Sequence, residues 1–478
     1  MRRGAVATEA PRLEPEVRGG GAFSARGFAP LWFSGLCWHW GRWAIAFLAS
    51  YHVNQITGSP RMVQLTGAIM WAPLLLGGAI GGVISDRFDR RRTVRLQTAL
   101  LVPFVAVVGL AERAGQLGIA LLYPFLLFAG IGWVVDMTSR RALVLDIVGP
   151  HRLHKAMAWE TMALASGVAA GQLLGGAVAD RAGVGAAFLG VAAMLGLGLV
   201  LLMWVPHVPP SMPAQPQRMT ERNRADRGLA GLRLAHPRWA RSMAERVFEL
   251  VPSSSAPHEM IDDASPGATA SGQPQRTSPL TELRDGLRLA RTNRSLLSIL
   301  GVTVMANFFM FAYFPAVQLI GDQVNATASQ IGIIGSMTGF GMITGSLVTA
   351  RWGDGRWGIA YSFGVFVAMA MLIVWALSPS VLIAVITLYV ASCGSGLFAA
   401  TQSTLVLTTV SEEMRGRAMG LLSMAIGALP VGTYVLGEVA QQLGARAAVI
   451  LMASLGLAGM TLWLLIRPQV LQRSGPTP

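Results

Sequence analysis

Arg42, Asp136 and Glu160 stand inside stretches of this sequence that are mostly apolar. A charge held in lipid is expensive, so such residues face a cavity or a partner of opposite sign. A buried acid can do one of two jobs. It can load and release a proton as hydration changes, because loss of water and a nearby cation act on a carboxylate in opposite directions. It can also form a static ion pair that ties two helices together. Glu160, about one helical turn inside its run, shares its side with Arg140 and Arg141. That placement suits proton carriage or a salt bridge closing one end of a pathway. His39 lies one turn before Arg42 and can titrate near neutral pH, although a lone His is more often simply hydrogen-bonded.

What is missing narrows the chemistry. No GxxxxGK[ST] string is present, which argues against nucleotide-driven work, and no His or Cys spacing suits a metal. No cofactor is implied, and the chain does not read as an enzyme. Cys37 and Cys393 sit in separate apolar runs and imply no disulfide framework.

Helices must position these groups. The 478 residues are 53% hydrophobic and only 13% charged, against about 25% charged in a soluble domain. Most of the chain is therefore dissolved in lipid. A spanning helix needs roughly 20 apolar residues, and twelve runs qualify. They cover residues 29–57, 63–85, 94–112, 117–146, 156–180 and 184–205, then 296–321, 328–351, 357–378, 380–404, 418–443 and 445–466. Asp146 ends the fourth, and ten residues at about 1.5 Å each put Asp136 roughly 15 Å deeper. The first run follows a polar tail, is too long for a signal core and contains Arg42, so no cleavable signal peptide is expected.

The formal net charge is +14. In a soluble chain that balance would suggest nucleic acid. Here the bases are sorted by side of a bilayer, and nucleic acid is not an expected partner. The first tail carries Arg2, Arg3, Arg12, Arg18 and Arg26, and the loop after span two adds Arg87, Arg90, Arg91, Arg92 and Arg95. Opposite loops hold only Arg61, Arg113, Arg181 and Arg446. Both termini are therefore expected in the cytoplasm. The organisation read from this is a cytoplasmic tail (1–27), a six-helix bundle (28–205), a linker (206–294), a second bundle (295–467) and a tail (468–478). The linker is Pro- and Ser-rich and too poor in apolar residues to bury a core, so a mostly disordered tether is expected.

The bundles repeat one another. LDIVGPHRLHKAMAWETMALA, from Leu145, aligns without a gap on LTTVSEEMRGRAMGLLSMAIG, from Leu407. Lys155 meets Arg417, Gly175 meets Gly437, and Gln402 is the repeat partner of Arg140. Parallel repeats about an axis along the membrane normal produce this pattern.

Residues 81–92 read GGVISDRFDRRR. Small residues let two membrane helices approach closely, an acid at a helix end can pair with a neighbouring cation, and arginines mark the cytoplasmic face. The string resembles the signature loop of the major facilitator superfamily of transporters, matched at Gly82, Asp86, Arg87, Arg90, Arg91 and Arg92. Asp89 stands where that family usually has a second Gly, a form similar to the branch with the enterobactin exporter. EEMRGRAMG resembles the tenth-to-eleventh loop of the same branch, while the second copy of the signature loop has Ala350 in place of the acid.

The resemblance covers about residues 28–206 and 279–468. It implies an all-α membrane fold with twelve transmembrane helices in two pseudo-symmetric six-helix bundles. It implies that Asp86, Arg90 and Asp146 latch the cytoplasmic side. It also implies that spans one, four, seven and ten line a central cavity, where Arg42 and Asp136 can face each other as a proton site or as a static pair. The family's usual base in span four is missing from LLFAGIGWVVD, so Arg42 is the candidate substitute. Span five carries GVAAGQLLGG, similar to an exporter-associated Gly-Pro motif with Gln172 in place of Pro, or an ordinary close-packing face.

Candidate cavity groups are His39, Trp43, Asn307, Tyr313, Gln318 and Gln402, among abundant aromatics. Such a lining suits amphipathic or hydrophobic cargo better than sugars or phosphates. The expectation is a monomeric inner-membrane carrier, driven by a proton gradient, exporting a drug-like or siderophore-like molecule. The alternatives are an uptake permease or facilitator and, from another class, a non-transporting sensor or assembly partner.

Overall fold

A computed structural model describes residues 21–76, 89–207, 292–351, 357–411 and 414–471. Gly82, Asp86 and Arg87 of the signature loop lie outside these residues. So do residues 208–291 of the proposed tether.

The first bundle is built from α1 (Phe28–Thr57), α2 (Pro60–Trp71, running into a 3-10 turn over Ala72–Leu76), α3 (Arg90–Arg113), α4 (Ile119–Val148), α5 (Pro150–Ala182) and α6 (Val184–Met203). In the second, span seven is split into α7 (Arg294–Met305) and α8 (Ala316–Gln323). Then come α9 (Ala328–Arg351), α10 (Trp357–Ala376) and α11 (Val381–Thr408). Span eleven is α12 (Arg415–Ile426) with α13 (Ala428–Leu443), and α14 (Ala445–Ile466) closes the bundle.

Among the described residues, ten helices are long and apolar enough to cross a membrane. The 30-residue α1 has the length but carries His39 and Arg42, and α2 begins the remaining span. The fold is thus twelve helices in two six-helix bundles.

Local chemistry sets several of the ends. Ser59 accepts from the Met62 amide ahead of Pro60, and Ser380 does the same for Ile383 at the start of α11. Asp89, which replaces the signature glycine, caps α3: its Oδ1 accepts from the Arg92 amide at 2.8 Å. Span seven departs from the single run expected over residues 296–321. After Met305 it loosens into a π turn (Ala306–Met310) and tightens into a 3-10 turn (Phe311–Tyr313) before Pro315. Pro315 supplies no amide proton, and the turns before it absorb the mismatch.

Helix α5 packs on α1 along one side and on α9 along another. Its small residues make both approaches possible. A side chain at Gly171 would collide with the Trp40 carbonyl of α1, and one at Gly176 with the Ala328 carbonyl of α9.

Polar links between the bundles gather at the end where α1 turns into α2. Asn54 Nδ2 donates to Asp322 Oδ2 at 2.7 Å, and Ser59 Oγ to Gln441 Oε1 at 2.7 Å. Glu438 of α13 has Arg61 as its partner at 3.9 Å. Two further links sit deeper, Gln318 Nε2 to Phe47 O at 3.3 Å and Gln172 Nε2 to Gly335 O at 3.0 Å.

Candidate functional site: a buried charge cluster beside an aromatic cavity

Asp136 and Arg140 are one turn apart on α4, so their side chains meet on one face. Arg140 Nε donates to both carboxylate oxygens, at 3.1 and 3.0 Å, and Nη2 to Oδ1 at 2.9 Å. Its Nη1 reaches the Leu31 carbonyl of α1 at 3.2 Å. Both residues are buried. The expected pairing of Asp136 with Arg42 is therefore corrected: the acid is held by Arg140. The spacing DMTSR carried the signal, because a partner four residues on needs no tertiary assembly to find it.

Arg42 has a different seat. Its guanidinium carbon stands 3.8 Å from the centroid of the Trp133 ring of α4 and 4.9 Å from that of Trp43. These are cation–π distances. Arg42 is 4% exposed, and its buried Nε and Nη1 have no hydrogen-bond partner among the described residues. No described carboxylate lies within ion-pair distance of it.

Glu160 of α5 is buried, and its Oε1 is likewise without a hydrogen-bond partner among the described residues. Gly35 of α1 faces both this oxygen and Arg140. A Cβ at that glycine would stand 3.5 Å from Arg140 Nη1 and 3.8 Å from Glu160 Oε1. His39, against Gly167 of α5, presents a buried Nδ1 that also lacks a partner there. One face of the first bundle thus holds a satisfied ion pair, an unpartnered cation and an unpartnered acid oxygen.

A cavity adjoins Trp43. Trp43, Phe47, Met70, Trp71, Phe314 and Gln318 are among its walls, so both bundles contribute. Phe314 meets Trp43 and Trp71 edge to face, with centroids 5.3 and 5.5 Å away. Of the proposed cavity groups, Trp43 and Gln318 line this space; four do not. His39 sits in the charge cluster. Asn307 turns back to the Thr303 carbonyl at 2.9 Å, inside the π turn. Tyr313 hydrogen-bonds Thr338 of α9 at 3.1 Å, behind the wall, and Gln402 lies on α11.

At the far end of α4, Asp146 receives Arg90 Nη1 on both oxygens at 2.8 Å, joining α3 to α4. Arg91 is beside it in sequence, with a buried Nε unpartnered among the described residues. That is one arm of the expected latch; the Asp86 arm lies outside the described residues.

The model of the Major Facilitator Superfamily matches residues 31–316 and 297–478, nearly the whole chain. The chain belongs to that superfamily. No curated protein matches it in sequence. Among solved structures it is similar to a POT family transporter in complex with 5-aminolevulinic acid, at 12% identity over 93% of this chain and 97% of the other, with a TM-score of 0.67. It is similar to a POT family transporter in complex with a thioalcohol-conjugated peptide, at 12% identity over 93% and 96% of the two chains, with a TM-score of 0.66. It is also similar to a bacterial homologue of the human lysosomal transporter Spinster in an inward-facing, occupied conformation, at 14% identity over 96% and 100%, with a TM-score of 0.65. At these identities the likeness is one of fold. Superfamily membership makes the protein a multi-pass secondary transporter rather than an enzyme.

Proposed function

We propose that this transporter is a proton-coupled exporter of an amphipathic, drug-like or siderophore-like small molecule. It acts as a monomer in the inner membrane, with both termini in the cytoplasm. The observation that carries the reading is the unpartnered Glu160 oxygen beside the Asp136–Arg140 pair. Three hydrogen bonds from Arg140 fix Asp136, which leaves Glu160 as the acid free to trade a proton. Its charged neighbours are Arg140, Asp136 and the more exposed Arg141, all on α4, while α1 offers Gly35. Protonation cancels the attraction between Glu160 and Arg140 and so loosens α5 from the α1–α4 wall. The polar links near Asn54 form the outer gate in its closed state, and the cavity then exchanges with the cytoplasm. The α5 motif GVAAGQLLGG, with its likeness to exporters, favours outward transport.

The test is transport of a panel of amphipathic dyes by the purified chain in proteoliposomes with an imposed pH gradient. Glu160→Gln is expected to abolish gradient-driven accumulation while keeping gradient-free exchange. Asp136→Asn is expected to lower stability more than coupling. Accumulation by Glu160→Gln at the wild-type level would remove Glu160 from the mechanism.

A further inference from the structure

A cation buried without a counter-ion is costly, and a partner that restores the balance is bound correspondingly well. Arg42 is such a cation: 4% exposed, with Nε and Nη1 unpartnered, and with the nearest acid of its helix pair, Asp136, already taken by Arg140. Its guanidinium lies against Trp43, a ring that lines the cavity. The Trp43 Nε1 is also buried and unpartnered, which places a second idle donor in the same wall. Across the cavity, Gln318 spends its amide hydrogen on Phe47 O and leaves Oε1 buried with nothing to accept. Between these poles lie the apolar faces of Met70, Trp71 and Phe314.

We propose that the substrate is an aromatic or amphipathic organic anion. Its carboxylate or sulfonate pairs with Arg42 and the Trp43 N–H, a charge-assisted contact with two buried donors. Its apolar body packs on the aromatic faces of Trp71 and Phe314, and an N–H or O–H on that body donates to Gln318 Oε1. This deepens the transport reading by naming the class of cargo for the same cavity. Each unpartnered group is then completed by something that arrives, a proton for Glu160 and an anion for Arg42.

Two probes separate charge from bulk: 8-anilinonaphthalene-1-sulfonate and N-phenyl-1-naphthylamine share one aromatic body and differ by the sulfonate. Binding to the full chain is read by tryptophan quenching in neutral phosphatidylcholine nanodiscs, with partition into empty nanodiscs subtracted. The wild type is expected to bind the sulfonate at least about tenfold more tightly than the neutral compound, the scale of one buried charge-assisted contact. Arg42→Gln should abolish that preference while changing the neutral affinity less than about twofold, and Arg42→Lys should keep part of it. Equal binding of the two probes by the wild type, or an unchanged ratio in Arg42→Gln, overturns the proposal. The wild-type ratio stands as a test even where a variant fails to fold. No gradient is applied, so a failure of proton coupling leaves the ratio intact. Conversely, gradient-driven dye transport by a wild type that binds the two probes equally would overturn the cargo class alone.

Discussion

At one register of the internal repeat the two bundles have made opposite choices. Where α4 carries Asp136 and Arg140, α11 carries Phe398 and Gln402. The first pair is a buried ion pair at 2.9 Å. In the second bundle Phe398 stacks on Tyr361 of α10, with centroids 4.7 Å apart and planes 17° from parallel. The Tyr361 hydroxyl is tied to Thr303 at 2.6 Å. The scaffold is shared, but at this register the first bundle carries charge and the second an aromatic contact. A pseudo-symmetric carrier can therefore keep one bundle as the electrostatic element and use the other as a frame against which it works.

Forcing one bundle to resemble the other tests this division most severely. Arg140→Gln copies the second bundle's residue into the first and strands Asp136 without its partner. The expected loss is about 3–5 kcal/mol of stability, the scale for breaking a buried pair from one side, seen as a large drop in thermal unfolding temperature in detergent. Adding Asp136→Asn should recover most of that stability without recovering transport. An Arg140→Gln protein that melts with the wild type would mean the pair holds nothing together.

In the frame the expected effect is smaller. Tyr361→Phe keeps the stack on Phe398 and removes one buried hydroxyl, for about 1–2 kcal/mol, with gradient-driven transport per folded molecule unchanged. A change in coupling there would erase the contrast between the bundles. At the outer gate, Asn54→Leu deletes the link to Asp322 and should cost about 1 kcal/mol of closure. The readout is faster labelling, from outside, of a cysteine placed at Ser50, which lines the cavity. Removing Ser253–Ser278 should have the smallest effect, leaving insertion and transport near wild type. A marked loss with normal expression would give the linker a working role.

The bundles were legible because lipid demands long apolar runs, and because the repeat from Leu145 and Leu407 survives in the residues themselves. Arg42, Asp136 and Glu160 stood out for the same reason, as charges that lipid does not tolerate alone. Their pairing was harder to read. Proximity inferred from shared spans suggested Arg42 for Asp136, whereas the four-residue step to Arg140 decided it within a single helix. The seat of Arg42 on Trp133 depends on how α1 rotates against α4, and no local pattern encodes a rotation. The π and 3-10 turns of span seven were equally hidden, although Pro315 marked the place.

Gln172 has a mechanical consequence. A proline there would have removed an amide hydrogen and invited α5 to bend; glutamine keeps the helix continuous and extends an arm to Gly335 of α9. That arm crosses between the bundles midway along the α5–α9 seam, between the Gly176–Gly332 and Ala169–Gly339 contacts. When one rigid body rocks on another, points near the axis travel least and points far from it travel most. A hydrogen bond at the seam can thus behave as a fulcrum pin, surviving a stroke that parts Asn54 from Asp322. Lengthening that pin by one methylene or cutting it to alanine would change the play in the joint, and with it how faithfully motion at one mouth is converted into motion at the other.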